Sequence, residues 1–268
     1  MAKRIIKLFG SLCVRAWDVI AAGFARLIGT ALPGRCVVLY YHEVPARERQ
    51  HFARQMDYLS RSATVLPADY SGDLEAGKFF AAVTFDDGFV SVLENALPEL
   101  QRYKMPATIF VPSGYLGQQP GWIKKDKKEW VMTPEQLRVA RKGGLTIGSH
   151  TVLHSRLDRL SREQAGCEMS VSKSELEKIL EQPVELLSFP HGAYNGNILE
   201  LAQSIGYRRV FGIKPKWIEG QMNGFFMDRV AVNPWDWDIE FRLKLKGAYR
   251  WEPAAAEFNS KIFRREHK

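Results

Sequence analysis

Hydrophobic positions along the chain form short apolar runs separated by longer amphipathic segments. Runs such as "CVVLYYH" (36–42), "FAAVTF" (80–85) and "LTIGSH" (145–150) predict buried strands. Residues 46–63, 90–103 and 161–183 carry apolar side chains at helical spacing instead and predict helices. Strands that alternate with helices of this length imply parallel βαβ units. About seven such units favour closure into a barrel over an open sheet.

Two of the predicted helices begin with capping signals. Thr133 precedes Pro134 and is followed by Gln136, and Ser161 is followed three residues later by Gln164. The N-cap hydroxyl and the glutamine side chain can each bond a free backbone N–H, which forms a capping box. The sequence therefore predicts helices that begin at residues 134 and 162.

The first 34 residues form a segment of a different character. At about 100° per residue, its charged side chains fall on one arc and its large apolar side chains on the opposite one. The charged arc holds Lys3, Arg4, Lys7, Arg15, Asp18 and Arg26, and the apolar side holds Ile6, Phe9, Trp17, Ile20, Phe24, Leu27 and Ile28. Charges interrupt the apolar stretches, so neither a signal peptide nor a spanning helix is predicted. The pattern predicts a helix lying on a membrane surface; a helix docked on its own domain or on a partner is the alternative.

Charge and cysteine content narrow the classes of function. The net charge is +8, and residues 1–35 contribute +5 of it, from six basic residues and one acidic residue. Nucleic-acid-binding proteins usually spread basic residues over a folded face, so this distribution favours a membrane surface and no nucleic-acid partner. Three widely spaced cysteines, Cys13, Cys36 and Cys167, predict no disulfide framework. We expect two units, an amphipathic surface helix over 1–34 and a larger domain over 35–268.

Side chains with catalytic potential collect where the predicted strands end. They are His42, Asp86, Asp87, His150, His154 and His191. The carboxyl ends of parallel strands meet at one edge, so we expect these groups to lie together. His150 and His154 can converge on one cation if their loop makes a helical turn. With one carboxylate they would leave coordination positions open, as catalytic metal sites do; solvent-exposed turn residues are the alternative.

Two motifs resemble those of a known family. "TFDDG" (84–88) is similar to the first motif of the polysaccharide deacetylase superfamily, and "SHTVLH" (149–154) to its second, in the same order and with matching separation. The likeness extends over roughly residues 36–232. It implies an α/β fold of the NodB type, a deformed (β/α)7 barrel, and makes 35–268 a deacetylase-like catalytic domain.

The resemblance also implies a role for each residue. The metal ligands would be Asp87, His150 and His154. They would bind a divalent cation, most often zinc in this family, with cobalt, nickel, manganese or iron as other options. Asp86 would be the general base that deprotonates the attacking water. Pro190, His191 and Gly192 would form the turn that stabilises the oxyanion, with the amide of His191 as the donor.

The chain departs from the family pattern in two ways. It has no histidine between His191 and His267, so the late Leu-x-x-His motif that supplies the acid in many members is absent. The "YH" of "LYYHE" resembles the poly-N-acetylglucosamine deacetylase subgroup, which implies that His42 is the general acid; a helix-capping residue is the alternative. "SFPHG" lacks the arginine that many relatives carry before this turn, and Arg229 is the candidate replacement. Candidates for stacking on sugar rings, or for packing alone, are Tyr41, Trp122, Tyr194 and Trp235.

Together these features predict a metal-dependent N-deacetylase of an N-acetylhexosamine in a lipid-linked or lipopolysaccharide-type glycan. The N-terminal helix and the absence of an export signal suggest a peripheral protein at the cytoplasmic face of a bacterial inner membrane. The lysine-rich loop 124–128 is interpreted as solvated, or as a contact for glycolipid phosphates. Three alternatives stay open: a deformylase of a lipid-linked amino sugar, a catalytically degenerate carbohydrate-binding protein, and a metal-dependent phosphoester hydrolase.

Overall fold

Strands and helices alternate along the chain as the hydrophobic pattern predicts. The computed structural model describes residues 2–123 and 129–253. Its strands are β1 (Arg35–Tyr41), β2 (Thr64–Val65), β3 (Phe79–Phe85), β4 (Ala107–Val111), β5 (Leu145–Ser149), β6 (Leu186–Ser188), β7 (Arg209–Phe211), β8 (Ile218–Glu219), β9 (Phe226–Met227) and β10 (Val230–Ala231). Its α-helices are α1 (Ala2–Leu27), α2 (Arg49–Ser62), α3 (Leu97–Arg102), α4 (Pro134–Lys142), α5 (Arg162–Leu180), α6 (Gly196–Ser204) and α7 (Asp238–Leu245).

The sheet curves into a nearly closed barrel. Its order is β10-β1-β3-β4-β5-β6-β7-β9, and neighbours on this path are parallel. The outermost strands of this order, β9 and β10, are separated in sequence by only Asp228 and Arg229. Such a short link brings the two edges of the sheet close together. The predicted α/β fold with a deformed (β/α)7-type barrel is confirmed.

Alternating side chains of the strands divide the core into two layers. In β1, Cys36 and Val38 point into the barrel, whereas Val37, Leu39 and Tyr41 pack beneath the surrounding helices. All five side chains are buried. Burial on both faces explains why the strands are continuous apolar runs rather than alternating patterns.

Both predicted capping boxes are present. Thr133 Oγ1 accepts from the Gln136 N–H at 3.3 Å, and the Thr133 N–H donates to Gln136 Oε1 at 2.9 Å. Ser161 and Gln164 repeat the arrangement at 3.2 and 3.0 Å. The helices accordingly begin at Pro134 and at residue 162, as predicted.

The segment after the two aspartates differs from the pattern-based expectation. The sequence predicts one helix over 90–103, but the structure has a π-helical turn at Val92–Ala96 followed by α3. The N–H of Leu97 bonds the carbonyl of Val92. Pro98 has no N–H to offer the carbonyl four residues earlier, which disfavours the regular α-helical register here.

Helix α1 docks on the domain through its polar side. Its ion pairs are Arg4–Glu240 at 2.5 Å, Lys7–Glu252 at 2.9 Å and Asp18–Arg250 at 2.5 Å. Trp251 Nε1 also donates to Ser11 Oγ at 3.0 Å. A Cβ on Gly10 would lie 2.7 Å from the Trp251 ring, so only glycine permits this approach. Of the alternatives left open by the sequence, docking on its own domain is therefore present, and Arg4, Lys7 and Asp18 of the charged arc face the domain.

The apolar side of α1 faces away from the domain. Its large side chains are between 40% and 85% exposed: Ile5, Ile6, Phe9, Leu12, Trp17, Val19, Ile20, Phe24 and Leu27. A helix that packs on a globular domain ordinarily buries its apolar stripe, so this orientation is reversed. Within the described residues, no helix has the length and hydropathy needed to cross a bilayer.

We predict that Thr133→Ala lowers the free energy of unfolding by about 1 kcal/mol, because the first turn of α4 loses its N-cap acceptor. Urea denaturation followed by circular dichroism measures the change. Thr133→Ser keeps the hydroxyl and should retain most of the stability. Equal losses in the two variants would show that the methyl group, and not the cap, stabilises this helix.

Candidate active site

The carboxyl ends of the strands meet at one edge of the barrel, where the predicted polar residues lie. Asp87 follows β3, and His150 and His154 follow β5; each offers a ligand atom, and these atoms lie within 4.8 Å of one another. Nε2 of His154 is 3.3 Å and Nε2 of His150 is 3.7 Å from Asp87 Oδ1. Two ligands of one tetrahedral ion, each about 2.1 Å from it, lie about 3.4 Å apart. The spacing therefore fits a single cation.

The two histidines converge through an irregular loop and not through the helical turn that their spacing suggested. Thr151 and His154 have φ angles of 66° and 57°, in the left-handed region. The N–H groups of Val152 and Leu153 both donate to Glu168 Oε2, at 3.0 and 2.8 Å. Glu168 lies on α5, so a tertiary contact shapes this loop. Left-handed non-glycine residues are often found at functional sites, where the surrounding structure holds them.

The ring of His150 is oriented by the next strand. Its Nδ1 donates to the carbonyl oxygen of Ser188 at 2.7 Å, which leaves the lone pair on Nε2, facing Asp87. Burial lowers the pKa of His150 to about 4, so its imidazole is neutral at physiological pH. Trp122 stacks on the ring of His154 with 4.1 Å between centroids and an interplanar angle of 18°. Both imidazoles are thus held in fixed orientations.

Asp86 is held by a buried arginine. Arg229 donates to both carboxylate oxygens of Asp86 at 2.8 Å, and it is fully buried. The same guanidinium donates to Ser188 Oγ at 2.6 Å, to Thr84 Oγ1 at 3.1 Å and to the Gly212 carbonyl at 3.0 Å. Such a saturated, bidentate arrangement fixes the direction of the carboxylate. Arg229, the candidate that the sequence offers for the missing arginine, therefore lies against Asp86.

The two adjacent carboxyls experience opposite electrostatic environments. Burial alone would raise the pKa of Asp86, but Arg229 more than offsets it and holds this pKa well below its usual range. Burial, and then the charge of Asp86, raise the pKa of Asp87 to about 8. Oδ1 of Asp87 is buried and has no hydrogen-bond partner among the described residues. A carboxylate oxygen without a partner, facing two imidazole nitrogens, is a donor set that fits zinc or a similar divalent cation.

A cleft of about 370 Å³ opens onto Asp87. Its walls include His42, Glu43, Phe89, Trp122 and Trp235. His42 is exposed at the end of β1, so it stands where a substrate would enter. Its charge is close enough to influence the pKa of Asp86.

The turn at Pro190–Gly192 completes the edge of the site. His191 has a φ of 58°, and its ring meets that of His154 edge-on at 4.6 Å. Gly192 also has a positive φ, of 59°, and a Cβ there would lie 2.3 Å from Ile213. Glycine is therefore required for this turn to pack against Ile213, just after β7.

One predicted sugar-stacking candidate, Tyr41, is a packing residue. It is fully buried and donates its hydroxyl to Gln55 at 2.9 Å. Tyr194 packs on Phe189 and Phe226 at centroid distances of 5.5 and 4.6 Å but is only half-buried, so its contact with a sugar stays a prediction. Trp122 and Trp235, by contrast, line the cleft. The predicted lysine loop 124–128 lies outside the described residues.

Sequence reasoning missed two residues that organise the site. Ser188 bonds Arg229 through its hydroxyl and His150 through its carbonyl. A polar residue at the end of the apolar run "VELL" is a signal that could have indicated it. Glu168, which holds the loop between His150 and His154, has no local signal, because a glutamate on an amphipathic helix is usually solvated.

Comparison with protein families agrees with this geometry. A sequence profile of the polysaccharide deacetylase family matches residues 73–210, about half of the chain. The chain belongs to the polysaccharide deacetylase family. The protein is thus a hydrolase that acts on amide bonds.

Two curated proteins are moderately similar to this chain in sequence. YxkH of Bacillus subtilis (strain 168), whose name assigns it to the polysaccharide deacetylases, is 27% identical over 218 residues, covering 77% of this chain and 75% of its own. The poly-β-1,6-N-acetyl-D-glucosamine N-deacetylase of Staphylococcus aureus (strain MSSA476) is 25% identical over 160 residues, covering 56% of this chain and 53% of its own. The chain thus spans only about half of the staphylococcal enzyme.

Solved structures share the fold. The deacetylase PplD of Streptococcus pyogenes, solved with acetate, superposes with a TM-score of 0.65 at 22% identity, covering 81% of this chain and 99% of PplD. IcaB from Ammonifex degensii gives a TM-score of 0.66 at 22% identity, covering 81% of this chain and 98% of IcaB. Nearly the whole of each of these two smaller structures therefore superposes on this chain.

We predict that Arg229→Gln lowers the free energy of unfolding by about 3–5 kcal/mol, because Asp86 is left buried without a counter-charge. Chemical denaturation measures the loss. The double variant Arg229→Gln/Asp86→Asn removes that charge and should recover part of it. Strictly additive losses would mean that the two side chains do not interact energetically.

Proposed function

We propose that this protein is a metal-dependent N-deacetylase that removes acetyl from an N-acetylhexosamine of a membrane-associated glycan. The observation that carries the proposal is the convergence of Asp87, His150 and His154 beside an Asp86 held by Arg229. Family membership supplies the reaction class, and the staphylococcal relative's name supplies N-acetylglucosamine as the first sugar to test.

Asp87, His150 and His154 would hold the cation, and we propose zinc as the first choice. One carboxylate and two neutral imidazoles suit zinc, although cobalt, nickel, manganese and iron accept similar donors. When bound, the ion would act as a Lewis acid and make water acidic enough to lose a proton near neutral pH.

The remaining roles fall to the protein's own side chains. Asp86, ionised and aimed by Arg229, accepts the proton of the attacking water. The backbone N–H of His191 donates to the oxygen that gains negative charge as the acetamide carbonyl is attacked. His42, at the cleft mouth, protonates the departing amine nitrogen so that the C–N bond breaks and acetate leaves. Arg229 acts as a positioning residue through Asp86.

We expect Asp86→Asn to bind metal as the unmodified protein does and to lose about 10²–10⁴-fold in kcat, because the base is gone while the ligands remain. His150→Ala should lose both metal and activity. Metal content is measured by mass spectrometry, and acetate release is measured on β-1,6-linked N-acetylglucosamine oligomers. Equal metal content and equal activity in the two variants would contradict these roles.

We further propose that α1 attaches the protein to a membrane surface. Its ion pairs turn the polar side inward, so its exposed apolar side can enter the region between lipid headgroups and acyl chains. We place the protein peripherally on the cytoplasmic face of a bacterial inner membrane, where a lipid-linked or lipopolysaccharide-type glycan is in reach. Arg26, which is exposed in the last turn of α1, suits anionic lipids.

Phe9→Glu/Phe24→Glu should weaken binding to anionic lipid vesicles at least about a hundredfold, because each phenylalanine buried in lipid contributes about 1.5–3 kcal/mol. Folding should be unaffected, since these side chains are 69% and 64% exposed. Cosedimentation with vesicles measures binding. Val139→Glu, at a 56% exposed position on α4, is the control and should bind normally. Undiminished binding of the double variant would place the attachment elsewhere.

A further inference from the structure

A second cavity lies on the other side of one wall of the cleft. It measures about 490 Å³ and is bordered by His51 and Arg54 of α2 and by Trp237 and Asp238 at the start of α7. Trp235 borders both this cavity and the cleft that opens onto Asp87. The two spaces are therefore neighbours that share one indole.

The side chains of this cavity combine flat apolar surfaces with hydrogen-bonding groups. Trp235 and Trp237 are 38% and 42% exposed. Arg54 is exposed, and in the part of the chain that the structure describes it makes no ion pair or hydrogen bond. Asp238 offers an exposed carboxylate. A guanidinium only donates and a carboxylate only accepts, so together they can bind hydroxyl groups, which do both.

This combination matches a sugar ring. A hexopyranose presents C–H groups that can lie on an indole, and hydroxyls around its edge that need both donors and acceptors. A phosphate would be attracted by Arg54 but repelled by Asp238, so the charges favour a neutral ring. The mixed lining therefore indicates carbohydrate.

The shared wall is held rigidly. Asp236 accepts from Lys244 Nζ at 2.7 Å and from the Asn233 N–H at 2.9 Å. Gln55 Nε2 donates to the Asn233 carbonyl at 2.8 Å. These bonds fix the segment that carries Trp235, so little ordering would accompany binding.

We propose that this cavity binds the sugar adjacent to the one being deacetylated, so that the enzyme recognises at least two linked sugars. The inference rests on the proposed function, because it takes the cleft beside Asp87 as the place of the reacting sugar. The Trp235 wall then lies between neighbouring rings of one glycan. Substrate length, and not the acetamide alone, becomes a determinant of specificity.

The test compares β-1,6-linked N-acetylglucosamine oligomers of one and five sugars. Arg54→Ala and Trp237→Ala should each lower kcat/KM for the pentamer about tenfold and narrow the ratio between pentamer and single sugar. Arg61→Ala, also on α2 but paired with Asp57, and Trp130→Ala, outside both cavities, are the matched controls. Unchanged ratios in both test variants would overturn the proposal, as would equal losses on the pentamer and the single sugar.

A binding measurement separates this inference from the proposed activity. Calorimetric titration of the pentamer into Asp86→Asn, with and without Arg54→Ala, needs no turnover. A weaker Kd in the double variant supports the second sugar position even if acetate release is never observed. An identical Kd, or no binding by either protein, overturns it. Thermal unfolding of each variant checks its fold. Trp237→Ala also removes the contact of Trp237 with Arg4, so Arg54→Ala is the variant that decides if Trp237→Ala unfolds more easily.

Discussion

Two carboxylates that are adjacent in sequence and buried at one strand end require two separate counter-charges. Removing one such charge from water costs several kcal/mol even after relaxation, and the second carboxylate adds repulsion. The protein supplies a guanidinium to Asp86, whose two oxygens are both bonded to Arg229. Within the described residues, Oδ1 of Asp87 faces the neutral imidazoles of His150 and His154 and has no hydrogen-bond partner. This asymmetry divides the "DD" pair into a carboxylate that the fold satisfies and one that it leaves without a counter-charge.

The asymmetry depends on how the barrel closes. Arg229 lies between β9 and β10, the strands at the two ends of the sheet order, and its side chain points into the barrel. There it lies over the rings of Tyr40 and Phe110, at 4.7 and 5.3 Å from their centroids. The negative faces of aromatic rings attract a buried guanidinium, whereas aliphatic side chains do not. The orientation of the proposed base, Asp86, therefore depends on the closure of the sheet, because the same short link that joins its two edges carries Arg229.

The sequence predicted the features of this fold and site that depend on residues close together in the chain. Apolar runs gave the long strands, the hydroxyl and glutamine pairs gave the starts of α4 and α5, and the two motifs located Asp86, Asp87, His150 and His154. The short strands β2, β8, β9 and β10 carry too few residues for a periodic signal. The loop between the histidines follows Glu168, and Asp86 is aimed by a residue 143 positions away. Such contacts arise only once the chain has closed.

The docking of α1 raises a question of energy balance. Ion pairs at partly exposed positions contribute about 0–1 kcal/mol each, so three of them hold the helix only modestly. Burying one large apolar side chain is worth about 1.5–3 kcal/mol, and nine of them remain in water along α1. Turning the helix over would cover them against the domain but would strand Asp18 and its partner Arg250. An apolar phase over the outer side would make the present orientation the more stable one. The membrane surface that we propose for α1 would supply such a phase and leave the ion pairs intact.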